Sequence, residues 1–166
     1  MRGQANMCDR TRKYAPPAWL ARQDKRDGYE TWLHRKAVAH VRRDRKRGSP
    51  NAIIAAYKAA IHDAVVKSRG RDAYTGERLR WDQISQYDNE KSKKHRRAYK
   101  HSFALLPTVD HNGDGSGPAD FVICGWRTND AKSDLSGAEF VALCRRVVRF
   151  HDRRAEPRPP RRGRGA

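Results

Sequence analysis

Apolar side chains recur at helical spacing in two stretches of the first half of the chain, which predicts two amphipathic helices. The first covers residues 29–47 and the second covers residues 50–69. Ser49 and Pro50 are typical of an N-cap and a first helical position, and Gly70 is typical of a helix end. The apolar faces consist of Trp32, Leu33, Ala37 and Val41, and of Ile54, Tyr57, Ile61 and Val65. We expect the two helices to pair through these faces.

The second half of the chain has a different pattern. Residues 102–111 and 120–126 are short apolar runs on either side of a glycine-rich turn, which predicts two strands. Residues 127–136 are polar and predict a turn. A third helix is predicted over residues 136–150, where Ser136 is followed three residues later by a glutamate in a capping-box pattern. Its expected buried face is formed by Phe140, Leu143, Cys144, Val147 and Val148.

These elements indicate an α+β fold, and a length of 166 residues favours one domain with tails. Residues 1–48 form a basic N-terminal region with one helix. Residues 49–152 contain the second helix, the two strands and the last helix. Residues 153–166 are rich in Arg and Pro and are predicted to be disordered. Residues 89–101 are dense in positive charge and fit either a loop or a short helix.

The charge of the chain narrows the class of partner. The formal net charge is +18, from 37 basic and 19 acidic side chains, which favours a polyanionic partner such as nucleic acid. Residues 101–150 differ, because their five basic and six acidic side chains sum to −1. This distribution is expected if the carboxylates of residues 101–150 bind a cation while basic side chains elsewhere bind phosphates. A solvated surface with uneven charge is the alternative.

Location and cysteine usage follow from the same sequence. No apolar run could span a bilayer, and the first 20 residues lack the apolar core of a secretory signal. Cys8, Cys124 and Cys144 are far apart and form no C-x-x-C pair, so we expect neither a zinc knuckle nor a disulfide framework. We therefore expect a cytoplasmic protein, in which Cys124 and Cys144 are buried as small hydrophobic residues. The sequence does not indicate an oligomeric state.

The loop after the first predicted strand, TVDHNGDGSG, has two interpretations. Asp110, Asn112, Asp114 and Gly115 match positions 1, 3, 5 and 6 of an EF-hand calcium loop. The match ends there, because position 12 is Phe121 rather than a bidentate glutamate and the preceding segment is strand-like. The alternative depends on the histidine that directly follows Asp110.

Residues 105–140 resemble the ββα-metal core of the HNH-type (His-Me finger) endonucleases. LLPTVDH supplies the strand that ends in Asp110-His111, and DFVICGWRTNDAK places Asn129 nine residues after Asp120, with Lys132 three residues further on. SDLSGAEF and the upstream YTGERL also resemble segments of such domains. Together these segments span roughly residues 72–150. The resemblance implies a small ββα-metal nuclease core and hydrolysis of phosphodiester bonds in nucleic acid, with double-stranded DNA as the expected substrate.

The resemblance also implies roles for the matched residues. Asp110 and Asn129 offer oxygen ligands suited to one divalent cation, Mg²⁺ or Mn²⁺. Strand alternation directs His111 away from Asp110, and imidazole titrates near neutral pH, so His111 can take a proton from water as a general base. The family usually has an asparagine that orients this histidine where this chain has Asp120. An aspartate could perform that role, or Asn112 or Asp114 could.

Basic side chains outside the hairpin are expected to bind phosphates without reading sequence. They comprise Arg42, Arg43, Arg45, Lys46, Arg47, Lys93, Lys94, Arg96, Arg97, Arg127 and Lys132, together with the tail. We expect Trp126 to be a core residue rather than a base-stacking one. The alternative function is a basic nucleic-acid-binding protein with a degenerate, non-catalytic HNH site.

Overall fold

The computed structural model describes residues 13–21, 28–113 and 117–155. The helices are α1 (Ala18–Ala21), α2 (Gly28–Lys46), α3 (Ile54–Ser68), α4 (Asn89–Ser102), α5 (Trp126–Lys132) and α6 (Gly137–Ala155). The strands are β1 (Pro107–His111) and β2 (Phe121–Gly125), and a short 3₁₀ turn covers Trp81–Gln83. The fold is α+β, with more helix than strand, as the sequence predicts.

One cluster of buried side chains joins the helices to the strands. α2 packs on α3, and α3 packs on β2, so the aromatic and aliphatic faces of the two helices cover one side of the sheet. Trp81 lies in the middle of this cluster, edge-on to both Trp19 and Trp32. Each fully buried leucine, isoleucine or valine side chain in this cluster contributes about 1.5–3 kcal/mol to the free energy of folding. α2 precedes the predicted boundary at residue 48, yet it shares this core with residues of the second predicted region.

The two strands form an antiparallel ladder whose register fixes the ends of the hairpin. Pro107 is opposite Gly125, and His111 is opposite Phe121. Val109 and Ile123 face each other in the core and continue the apolar surface provided by α3. Because side chains alternate along a strand, Asp110 points away from the side that Val109 and His111 share. The hairpin therefore presents two neighbouring polar residues to two different environments.

The structure corrects one predicted boundary and one predicted turn. α3 begins at Ile54 rather than at residue 50, because residues 49–52 form a turn in which the Ser49 carbonyl accepts a hydrogen bond from the Ala52 amide. The predicted turn after β2 is instead α5, which begins directly at Trp126 and contacts both strands. Of the two possibilities for residues 89–101, the structure has the helix, α4.

The predicted buried face of α6 is also wrong. The capping box forms, with the Ser136 amide donating to Glu139 Oε2 at 2.8 Å, but Val147 and Val148 are 50% and 56% exposed. Cys144 is exposed as well, whereas Cys124 is buried as predicted. The helices α3 and α5 already contact the small sheet, and α2 reaches β1 through the contact of Asp44 with His111, so little sheet surface remains for α6. Phe140 attaches its first turn by packing edge-on against Tyr74.

α6 continues to Ala155, three residues into the predicted tail. Residues 156–166 lie outside the described residues. None of the helices in the described ranges is both long and apolar enough to cross a membrane.

Candidate active site

Asp110 lies near the end of β1, next to a turn formed by residues 72–75. Asp72 builds that turn: its Oδ1 accepts hydrogen bonds from the backbone amides of Tyr74 and Thr75 at 2.7 and 3.1 Å. Its Oδ2 accepts from the Gly125 amide at 2.7 Å, which attaches the turn to the end of β2. The turn thereby places the Tyr74 hydroxyl so that it donates to Asp110 Oδ2 at 2.8 Å.

Lys132 provides the second partner of the Asp110 carboxylate. Its Nζ lies 3.2 Å from the same oxygen, Oδ2, and also donates to the Leu135 carbonyl. Both side chains of this ion pair are buried, with Lys132 only 3% exposed. Burial, followed by the hydrogen bond to Asp110, raises the pKa of the Tyr74 phenol, so Tyr74 remains a donor to this oxygen at neutral pH. No described residue donates a hydrogen bond to the other carboxylate oxygen, Oδ1.

His111 points to the opposite side of β1, as strand alternation predicts. Its Nε2 lies 2.8 Å from Asp44 Oδ2, and the Tyr57 hydroxyl donates to that same oxygen at 2.7 Å. Asp44 belongs to α2 and Tyr57 to α3, so the helices that cover the sheet also supply the partners of the histidine. The His111 ring packs against His40 and Phe121 at centroid distances of 4.9 and 5.0 Å.

The electrostatics of this cluster define the charge of each group. Burial acts to raise the pKa of the Asp44 carboxyl, but the hydrogen bonds from His111 and Tyr57 outweigh it, so its pKa is lowered and Asp44 is ionised at neutral pH. Burial, together with the bond to Asp44, raises the pKa of Tyr57 to about 12. Burial, then the charge of Arg43, lowers the pKa of His40 to about 3, so His40 is neutral.

The ionisation of Asp44 determines the tautomer of His111. A carboxylate can only accept hydrogen bonds, so the proton of the imidazole must be on Nε2. Whenever the ring is neutral, Nδ1 carries the lone pair. Among the described residues, no hydrogen bond reaches Nδ1. The arrangement is a carboxylate–imidazole pair with a basic nitrogen on its far side.

The predicted orienting contact from Asp120 is not the one that the structure contains. The Asp120 carboxylate accepts a hydrogen bond from Asn112 Nδ2 at 2.8 Å, and the Asn112 amide bonds the Asp120 carbonyl at 3.1 Å. These two bonds close the loop beyond the last strand pair, so both Asp120 and Asn112 are engaged with each other. Asp114, the third candidate, lies outside the described residues. The oriented contact to His111 comes from Asp44.

Asn129 lies on α5, one helical turn before Lys132, and is half-buried. Residues three apart on a helix are neighbours, and Lys132 contacts Asp110, so Asn129 lies one turn from the Asp110–Lys132 pair. Among the described residues, no three His, Cys, Asp or Glu side chains are grouped to hold a metal ion. A cation here would have one carboxylate and one amide ligand and would take its other ligands from water and phosphate. That set of hard oxygens is one that Mg²⁺ accepts.

The predicted phosphate-binding residues form two groups, a basic block at the end of α2 and a second group on α4 with Arg127, and Lys132 stands apart from both. All are exposed except Lys132, whose buried ion pair with Asp110 differs from the exposed phosphate contact predicted for it. Arg45 donates to the Ala52 carbonyl through Nε and Nη2, at 3.0 and 2.8 Å, and closes the connection between α2 and α3. The rest of that basic block lies on the last turns of α2, at Arg42, Arg43 and Lys46, and directly after the helix, at Arg47. The other group is on α4, with Arg127 at the start of α5: Lys93, Lys94, Arg96 and Arg97.

Sequence reasoning missed Asp44, because it lies within the block RRDRKR, which is otherwise basic and exposed. A signal for it exists. Asp44 follows Ala37 and Val41 at steps of seven and three, so it continues the apolar stripe of α2. A carboxylate on a buried stripe requires a partner, and the partner is His111. The YTGERL segment contains Tyr74, but its sequence does not indicate the hydrogen bond from Tyr74 to Asp110.

No protein-family model matches this chain, and neither a curated protein nor a solved structure matches it.

Proposed function

We propose that this chain is a metal-dependent endonuclease that hydrolyses phosphodiester bonds in nucleic acid, with residues 105–140 as a ββα-metal core of the HNH type. One observation carries the proposal. At the end of β1, two adjacent residues have opposite partners: Asp110 contacts Tyr74 and Lys132, and His111 contacts Asp44. A nuclease of this type needs a cation-binding carboxylate and an oriented base side by side, and this hairpin supplies both.

His111 acts as the general base. Asp44 holds the proton on Nε2, so Nδ1 accepts a proton from a water molecule while the water oxygen attacks phosphorus. The bond from phosphorus to the 3′ oxygen breaks, and that oxygen takes a proton from solvent. The products are a 5′-phosphate and a 3′-hydroxyl. Tyr57 donates to the same carboxylate oxygen and fixes the direction from which Asp44 approaches the imidazole.

Asp110 and Asn129 would hold one Mg²⁺ or Mn²⁺ ion. When bound, such an ion neutralises charge on the phosphate and on the departing oxygen. Tyr74 and Lys132 both bind Asp110 Oδ2, which orients the carboxylate and leaves Oδ1 for the cation. These second partners restrict the rotation of the ligand, as outer contacts commonly do around metal sites.

The basic surface supplies substrate affinity. The chain has a net charge of +18, and the exposed arginines and lysines on α2 and α4 would contact phosphates. Each such contact releases counterions, so affinity should fall steeply with salt. Double-stranded DNA is the expected substrate from the family resemblance.

A second candidate is a nucleic-acid-binding protein without catalysis. The buried ammonium of Lys132 favours it, because this cation already neutralises Asp110 at 3.2 Å. A site of that kind could keep its fold and its affinity for phosphates without any bound metal.

A substrate panel separates the two candidates. Purified protein is incubated with plasmid, linear duplex, single-stranded DNA and RNA in Mg²⁺, in Mn²⁺ and in EDTA. We expect cleavage of at least one substrate with either cation, and none in EDTA. Binding of every substrate with no cleavage under any condition would favour the binding protein.

A further inference from the structure

A basic groove lies between α4 and the start of α5, near the Pro107–Gly125 end of the hairpin. Its volume is about 790 Å³, and its wall on the α5 side includes Trp126 and Asp130. Its wall on the α4 side consists largely of cations: Lys93, Arg96, Arg97 and Lys100. All four side chains line the same groove, although the helix bends at Arg96. All four are exposed, so the groove is open to a large anionic ligand.

Trp126 is fixed in the wall of this groove rather than buried in the core, which corrects the prediction for it. Its backbone amide donates to the Leu106 carbonyl at 2.9 Å, and the next amide donates to Ala104 at 3.0 Å. Tyr87 supports the indole from the side, at a centroid distance of 5.7 Å. The Lys100 ammonium lies 6.0 Å from the ring centroid. Because Lys100 is long and exposed, it can leave the ring for a phosphate when a planar group approaches.

The charges give the groove a polarity. Trp126 and Asp130 are four residues apart and therefore share one side of α5, so an aromatic face and a carboxylate line the same wall. The carboxylate repels phosphate and can accept a hydrogen bond from a base amino group. The opposite wall attracts phosphate. A ligand that is aromatic at one end and anionic at the other fits this arrangement, and a nucleotide is such a ligand.

The backbone of α4 bends at the groove. Arg96 has φ 43° and ψ −119°, which is non-helical and sparsely populated for a residue with a side chain. Such conformations cluster at ligand-binding sites, where the surrounding structure holds them. Here the bend divides the helix at one of the cations that line the groove.

We propose that this groove binds one unstacked nucleotide of a single strand, with its base on Trp126 and its flanking phosphates on the α4 cations. What the groove implies for the choice of substrate rests on the proposed nuclease function. α5 carries both Trp126 and Asn129, which are about 4.5 Å apart along the helix axis. Within duplex DNA, the preferred cleavage site would therefore have an unpaired base near the scissile phosphate, rather than lie in a fully paired stretch. In a duplex the bases are stacked and cannot reach the indole.

The test measures binding in EDTA, so that it does not depend on cleavage. A labelled 12-nucleotide single strand and the matching duplex are titrated with wild-type protein, Trp126→Leu, Trp126→Tyr and Phe150→Leu. Phe150 is an exposed aromatic on α6, outside the groove, and serves as the matched control. Base stacking on an aromatic side chain corresponds to about 5- to 150-fold in affinity per base.

We expect Trp126→Leu to weaken single-strand binding within that range and to change duplex binding less than about 2-fold, well below the stacking contribution. Trp126→Tyr should recover most of the loss, and Phe150→Leu should bind as wild type does. Arg97→Ala, which removes a cation but keeps the indole, should weaken both ligands and reduce the single-strand salt slope by about 0.7. These results together would support the groove as a single-strand site.

Three results would overturn it. They are equal losses on both ligands for Trp126→Leu, no loss on either, and binding of a free mononucleotide as tight as that of the single strand. The outcome is separable from the nuclease proposal. If the protein cleaves no substrate but shows the expected binding pattern, the single-strand site is supported and the nuclease function is rejected. If the protein cleaves duplex DNA and its binding is unchanged by Trp126→Leu, the nuclease function is supported and the single-strand site is rejected.

Discussion

His111 Nε2 and Asp44 Oδ2 are 2.8 Å apart, although the two residues are 67 positions apart in the chain. The carboxylate belongs to α2, outside the hairpin that carries the histidine. Helix α2 therefore does more than cover the sheet, because it also sets the tautomer of the proposed base. The same oxygen accepts the Tyr57 hydroxyl, so α3 participates in the same hydrogen-bonded cluster.

Replacing Asp44 by asparagine should slow cleavage by about 10²–10⁴-fold while leaving nucleic-acid affinity unchanged. The amide has nearly the same shape, but its NH₂ group can face Nε2 and stabilise the tautomer that has no lone pair on Nδ1. Single-turnover rates under saturating substrate measure the effect, and a thermal melt verifies the fold. Tyr57→Phe is the graded comparison, because it keeps the carboxylate and removes only the second hydrogen bond to it, so its rate should fall less. Equal rates for Asp44→Asn and Tyr57→Phe would contradict the orienting role of the carboxylate.

Protein stability should fall as the pH is lowered, because His40 has a lower pKa in the folded state than in the unfolded chain. In the folded state burial lowers this pKa to about 3, so between pH 6.5 and 3 only the unfolded chain takes up the proton. The free energy of unfolding should therefore decrease by up to about 1.4 kcal/mol for each pH unit in that window. Urea unfolding at several pH values measures the slope, which should be shallower in His40→Phe. His95→Phe, at an exposed position on α4, should keep the parent slope. Parallel slopes for all three proteins would exclude His40 as the cause.

Removal of either proposed ligand should change the metal dependence of cleavage. Asp110→Asn and Asn129→Ala should each require more cation for half-maximal activity, and excess Mn²⁺ should partly restore Asn129→Ala because one ligand remains. Metal titrations of the cleavage rate provide the measurement. Asp152→Asn, which changes an exposed carboxylate on α6, should leave the titration unaltered. If both ligand variants keep the parent curve, the cation is held elsewhere, with Asp114, Asp120 and Asp134 as the next candidates.

The exposed face of α6 should tolerate polar substitutions. Val148→Ser should change the free energy of unfolding by no more than about 0.5 kcal/mol, because Val148 is 56% exposed. Ile61→Ala, in the core of α3, should cost about 2–5 kcal/mol because it leaves a cavity. Urea unfolding of the two variants gives both values. A loss above about 1 kcal/mol for Val148→Ser would mean that another surface covers this face.

The parts of the fold that sequence reasoning predicted are those with strong local signals. α2 was expected at residues 29–47 and forms at Gly28–Lys46, because its apolar positions repeat over several turns. The capping box at Ser136 and the hairpin around the glycine-rich loop are similarly local. α5 was missed because seven residues are too few to show a period, and no side chain caps its start at Gly125.

The parts of the site that were missed depend on contacts between distant segments. Asp110 and His111 could be identified together because strand alternation acts on adjacent residues. The pairing of His111 with Asp44 requires the packing of α2 against the hairpin, which no local pattern specifies. The outward face of α6 has the same explanation. An amphipathic stripe predicts burial only when the rest of the fold offers a surface, and here the sheet is already occupied.

The most direct measurement is the rate of plasmid nicking by wild-type protein and by His111→Ala, purified identically and assayed in Mn²⁺ and in EDTA. We predict that the wild-type protein nicks DNA only with the cation. His111→Ala should be slower by about 10²–10⁴-fold, because the attacking water loses its general base. The variant should still shift DNA on a gel at the same protein concentration, since His111 is not part of the basic surface. Equal nicking by the two proteins, or nicking that persists in EDTA, would contradict a metal-dependent nuclease centred on His111.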